Sequence, residues 1–204
     1  SQGSCLIVNT LNSAQFTVNK DFSDDAADVV GVSLSCDTGV VSPAGVQNLS
    51  EAAPVQFTVS GYTGDPGCTA TESSIPAGYT SDATACSAVA LSTGECTITN
   101  TLNTAQFTVN KDFSDDATDI VGVSLSCETG DVLPAGVQDL SEAAQVQFTV
   151  DGFTDDPNCT AVESNIPAGY TSDATACTAV ALSTGSCTIN NAVNTGTFTV
   201  RKTF

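Results

Sequence analysis

The chain has 204 residues, of which 23 are acidic and four basic, giving a formal net charge of −19 and a pI near 4.1. Nucleic acid and anionic membranes both recruit clustered lysine or arginine, so this balance argues against either as a partner, and no window resembles a membrane span of about 20 apolar residues. Histidine is absent, which removes every Ser/His/Asp or Cys/His arrangement and argues against an enzyme that turns over an outside substrate.

The segment CLIVNTLNSAQFTVNKDFSDDA, beginning at Cys5, returns as CTITNTLNTAQFTVNKDFSDDA, beginning at Cys96. The offset, 96 − 5 = 91 residues, holds without a gap, and 18 of the 91 aligned positions differ. A third copy begins at Cys187 and runs to Phe204. A unit of that size is an ordinary domain. Two full repeats are therefore expected, at 13–103 and 104–194. Residues 1–12 then read as the last strand of a preceding or neighbouring domain, and 195–204 as the first strand of a following one.

Along the first repeat, runs rich in Val, Thr and Phe with period two alternate with Gly, Pro, Asp and Ser clusters, the pattern of strands and turns. Strands are expected at 14–22, 29–36, 44–50, 54–62, 68–72, 83–91 and 96–102, with turns at SDDAAD, CDTGVVSPAG, TGDPG, SSIPAGYTSD and STGE. About seven short strands per repeat predict tandem antiparallel β-sandwich domains of the immunoglobulin-like or prealbumin-like type.

Three polar side chains fall on apolar faces. Phe16, Val18, Lys20 and Phe22 share one parity of the first strand, so Lys20 points inward with the phenylalanines. Cys96, Ile98 and Asn100 share a parity of the last strand, as do Cys187, Ile189 and Asn191. In CTATE the parity of Cys68 and Ala70 also holds Glu72, repeated as Cys159, Ala161 and Glu163; here Thr69 and Thr71 compete for the inward face. An isolated charge in an apolar core costs several kcal/mol, so the three groups are expected to meet. One outcome is a buried Lys–Glu ion pair with the asparagine beside it. The other is covalent: burial favours the neutral amine, which attacks the asparagine carbonyl while a protonated glutamate polarises it.

The motifs NKDF, ATESSIPAGY or AVESNIPAGY, and CTITNT resemble those of the CnaB-type domains of bacterial surface adhesins and pilins. The resemblance implies a spontaneous intramolecular isopeptide bond in each repeat: Lys20 to Asn100 with Glu72 as catalyst, and Lys111 to Asn191 with Glu163. In the partial copies Asn9 and Lys202 occupy the corresponding positions and are candidates for an inter-unit cross-link.

Nine cysteines, none closer than Cys86 is to Cys96, and no histidine fit disulfides in an oxidised extracellular or cell-surface protein better than a zinc site. No cofactor is expected. Four cysteines per repeat allow three pairings. In a sandwich whose first and last strands run side by side in parallel, the end of the second strand and the start of the last share an edge. That favours Cys36–Cys96 with Cys68–Cys86, and Cys127–Cys187 with Cys159–Cys177, leaving Cys5 single. The acidic turns at 23–28, 114–119 and 154–158 are candidate calcium ligands, weighed against solvated turns. Asn48 and Asn158 stand in N-x-[ST] sequons.

These features point to a structural subunit of an extracellular filament or adhesin stalk that associates with its own neighbouring copies. The alternative is an extracellular binding module that recognises a glycan or host protein.

Overall fold

The computed structural model describes residues 5–204. The chain divides into two compact units between Leu102 and Asn103. In the first unit the strands are β1 (Ser13–Phe22), β2 (Val30–Cys36), β3 (Val40–Ser42), β4 (Gln47–Leu49), β5 (Val55–Ser60), β6 (Gly67–Ser73), β7 (Tyr79–Asp82), β8 (Val89–Ala90) and β9 (Glu95–Leu102). The second unit repeats them as β10 (Thr104–Phe113), β11 (Val121–Cys127), β12 (Asp131–Leu133), β13 (Gln138–Leu140), β14 (Val146–Asp151), β15 (Asn158–Ser164), β16 (Tyr170–Asp173), β17 (Val180–Ala181) and β18 (Ser186–Val193). No helix among the described residues is long and apolar enough to cross a membrane.

Each unit is a β-sandwich. One sheet has the order β3-β5-β1-β9-β7 and faces a second with the order β4-β2-β6-β8; the second unit repeats both orders. All pairings are antiparallel except β1 with β9 and β10 with β18, which are parallel. The first and last strands of a unit therefore lie side by side at the centre of the larger sheet. Alternation explains the core: β1 buries Phe16, Val18, Lys20 and Phe22 and turns Gln15 and Asp21 outward. Against these pack Ile98 of β9, Val30, Val32 and Leu34 of β2, and Ala70 of β6.

Two short strands, β3 and β7, lie where the sequence reads as turn. β3 follows Gly39, whose φ of +98° L-residues rarely adopt and where a Cβ would approach Val59 Cγ1 to 2.9 Å. The run at 83–91 is divided between the 3-10 turns Thr84–Cys86 and Leu91–Thr93 and the two-residue β8. Residues 5–12 and 194–204 take part in no strand of either unit, and Leu6, Ile7, Phe198 and Val200 are exposed.

The disulfides differ from the sequence expectation. Cys36 bonds Cys68 and Cys86 bonds Cys96, with Cys127–Cys159 and Cys177–Cys187 in the second unit. The expected Cys36–Cys96, Cys68–Cys86, Cys127–Cys187 and Cys159–Cys177 pairs do not form: the end of β2 lies beside β6, in the sheet that does not contain β9. In the register of β2 with β6, Cys36 stands directly opposite Cys68. Cys86, on a 3-10 turn, is carried to the first turnward end of β9, where Cys96 sits. Cys5 is free and exposed.

Candidate functional site

Lys20 is opposite Ile98 in the parallel β1–β9 register, and Phe22 is opposite Asn100. Lys20 and Asn100 are thus one same-face step apart on neighbouring strands, both buried. Glu72 comes from the facing sheet, where β6 places it opposite Val32. The weakest of the three inward expectations is therefore met: the Lys20 and Glu72 side chains are 0% and 2% exposed.

The Glu72 carboxylate is the hub. Its Oε1 lies 3.6 Å from Lys20 Nζ and accepts a hydrogen bond from Asn100 Nδ2 at 3.0 Å. Its Oε2 accepts the hydroxyl of Ser81. Lys20 Nζ also donates to the carbonyls of Ile98 at 3.1 Å and Asp21 at 3.2 Å, and stands 4.3 Å from the centroid of the Phe22 ring. Asn100 Oδ1 is buried and accepts no hydrogen bond. Burial pushes the Lys20 amine below its usual 10.5, and the Glu72 carboxylate only partly restores it.

The second unit reproduces the cluster. Lys111 Nζ lies 3.6 Å from Glu163 Oε1, Asn191 Nδ2 donates to the same oxygen at 2.9 Å, and Ser172 donates to Oε2. Asn191 Oδ1 is likewise buried and unpaired, and burial lowers the Lys111 amine.

A second ring closes the site from outside. Phe22 and Tyr79 meet edge to face at 5.3 Å, as do Phe113 and Tyr170 at 5.2 Å. The Tyr79 hydroxyl donates to Asp24 at 2.8 Å, and that of Tyr170 to Asp115. Burial and the Asp24 contact push the Tyr79 phenol up to about 12; for Tyr170 the hydrogen bond to Asp115 leads, with the same result of about 12.

Asn9 and Lys202 are not brought together with any partner of this kind. Both are exposed and outside any strand, and Lys202 Nζ stands over the Phe204 ring at 4.2 Å. At the acidic turns weighed as calcium ligands, no three His, Cys, Asp or Glu side chains converge among the described residues. Asp24 and Asp115 are taken by tyrosines, and Asp156 receives the backbone N–H and hydroxyl of Ser183 at 2.8 and 2.6 Å. Asn48 is exposed on β4; Asn158 donates to Glu128.

The serines were not foreseen from the sequence. Ser81 and Ser172 lie in the YTSD stretch read as turn, and only the pairing of β7 with β9, which sets Ser81 opposite Asn100, brings them to the carboxylate.

No protein-family model matches the chain, and no curated protein matches it. Among solved structures it is similar to the shaft pilin SpaA of Lactobacillus rhamnosus GG, at 17% identity over 92% of this chain and 100% of that one, with a TM-score of 0.33. It is similar to a single B repeat unit of the collagen-binding surface protein of Staphylococcus aureus, at 16% identity over 91% of this chain and 100% of that one, with a TM-score of 0.31. It is also similar to the TIE protein of Bacillus anthracis, at 12% identity over 89% of this chain and 34% of that one, with a TM-score of 0.49.

Proposed function

We propose that the chain is a structural segment of an extracellular bacterial filament or adhesin stalk, whose tandem β-sandwich units are each closed by an isopeptide bond. The bonds join Lys20 to Asn100 and Lys111 to Asn191, with Glu72 and Glu163 as the catalytic carboxyls. The observation that carries this reading is the duplicated cluster in which one buried carboxylate oxygen touches both an amine and an amide.

The chemistry balances within the cluster. Glu72 takes a proton from the lysine ammonium, leaving a neutral amine and a carboxylic acid, a transfer that burial of the amine favours. Nζ attacks Cγ of Asn100; the new C–N bond forms, the Cγ–Nδ2 bond breaks, and Nδ2 leaves as ammonia with the protons relayed by Glu72. A half-turn of the Asn100 amide group exchanges Nδ2 and Oδ1 with almost no change of shape, so the protonated carboxyl can donate to Oδ1. Contact between the groups supplies the effective concentration such an amide exchange needs. The product is uncharged, which ends the cost of a buried lysine beside an unpaired amide oxygen.

A structural role follows from where the staple sits. It ties the first strand of a unit to the last, so tension entering at one end of the unit leaves at the other through a covalent bond. Disulfides in every unit suit an oxidising exterior, and neighbouring copies along a fibre are the expected partners. Intact mass is the test. The chain is expected to fall short of its sequence mass by one ammonia per unit, beyond the hydrogens lost to disulfides, and digestion is expected to yield Lys20–Asn100 and Lys111–Asn191 linked peptides. A mass short only by the disulfide hydrogens overturns the reading.

A further inference from the structure

We infer that Ser81, and Ser172 in the second unit, is the positioning residue of this reaction: its hydroxyl fixes the glutamate so that one oxygen faces both reacting groups. The inference rests on the cross-link reading above. Glu72 and Ser81 belong to different sheets, β6 and β7, so their hydrogen bond spans the sandwich at its open edge. A glutamate side chain has three torsions to fix, and in an apolar core nothing but hydrogen bonds fixes the last one. Here Oε2 is held by Ser81, which leaves Oε1 as the oxygen presented to Lys20 Nζ and Asn100 Nδ2. Because Ser81 on β7 is the cross-strand neighbour of Asn100 on β9, the strand paired with the one that carries the nucleophile's target sets the carboxyl that serves it. The arrangement is the same at Ser172, Glu163 and Asn191.

The surroundings agree with this role. Glu72 and Ser81 line an open groove of about 430 Å³ whose walls are formed by threonines such as Thr69 and Thr84 and by the apolar Ala70, Ile75 and Ala83. The groove opens to solvent beside the carboxyl and gives the departing ammonia a way out.

Substitutions of one shape separate the hydroxyl from its bulk. In full-length chains carrying S81T or S81V, the rate of Lys20–Asn100 closure is followed by peptide mass from the time of purification. Lys111–Asn191 in the same molecule is the internal standard. S81T is expected to close as the parent does, whereas S81V closes about tenfold or more slowly, the effect of losing one hydrogen bond to a charged group. The reciprocal S172V is expected to slow only Lys111–Asn191. Folding of the altered unit is checked by its Cys36–Cys68 and Cys86–Cys96 bonds. Equal closure in S81T and S81V, whether both fast or both slow, overturns the positioning role while leaving the cross-link intact. A parent chain that has lost no ammonia in either unit overturns the cross-link reading, and the positioning role with it.

Discussion

At the scale of single residues the lysine amine is the group whose state betrays the chemistry. In a chain carrying N100A and N191A the amide cannot form, and Lys20 and Lys111 keep their protonatable amines beside Glu72 and Glu163. Their folded pKa lies below 10.5, so between the folded value and 10.5 the unfolded chain binds more protons than the folded one. Stability of this variant is thus expected to rise as pH climbs toward 10.5, where the unfolded lysine also loses its proton. The closed parent has no such amine and is expected to lack that rise. Tyr79 and Tyr170 act oppositely and in both chains. Their folded pKa of about 12 exceeds the usual 10, so their stabilisation is complete below pH 10 and is lost as pH rises through 12. Urea titrations of both proteins between pH 7 and 10 make the comparison; parallel curves would count against an open, depressed lysine in the variant.

Among elements, the strands differ in how far their sequences announced them. β1 and β9 were legible because strict alternation assigns a face to every residue, and a lysine or asparagine on a phenylalanine face needs no knowledge of neighbours to be noticed. Glu72 was less legible, since the threonines flanking it in β6 suit either face. The disulfides were misread for a different reason: alternation fixes a residue's face but not which strand lies beside it, and the Cys36–Cys68 pairing is a property of β2–β6 register. Ser81 was missed because Pro76 and Gly78 mark a turn so strongly that the four-residue β7 behind them goes unseen. The corrected pairing has its own energetic consequence. Cys36–Cys68 spans 32 residues and Cys86–Cys96 spans 10, so loop entropy assigns them about 4 and about 3 kcal/mol. Replacing both cysteines of the longer loop by alanine is therefore expected to lower the denaturant midpoint more than replacing those of the shorter one, the opposite order arguing that packing around Cys86 dominates.

For the whole molecule, the two cores are the same. Every buried apolar residue of the first unit has its own type 91 positions later in the second, and the differences between repeats fall outside this set. Equal cores imply equal units in series, each with its own staple, and a pulling experiment reads both at once. With both amides closed, the chain between Lys20 and Asn100, and between Lys111 and Asn191, lies outside the path of the force. The parent is expected to show no unfolding step from these segments. The N100A, N191A variant is expected to lengthen by on the order of 100 Å per unit while its disulfides lock their loops, and by about twofold more once they are reduced. Steps of the same size in parent and variant would show that the force path is not covalently closed.

The likeness of the two units also bears on how such a chain is made. β1 (SAQFTVNKDF) and β10 (TAQFTVNKDF) differ only in their first residue, so nothing in their chemistry tells β9 or β18 which of them to join. Synthesis supplies the missing instruction: of the two, only β1 has left the ribosome when β9 emerges, and domains fold from the N-terminus as they emerge. With the amide closing as proposed, that early choice becomes permanent, and β10 is left for β18. An open, full-length chain diluted from denaturant receives all its strands simultaneously and has no such schedule. Crossed products, with Lys20 joined to Asn191, are the error expected of it, and the order of translation is what spares the cell from making them.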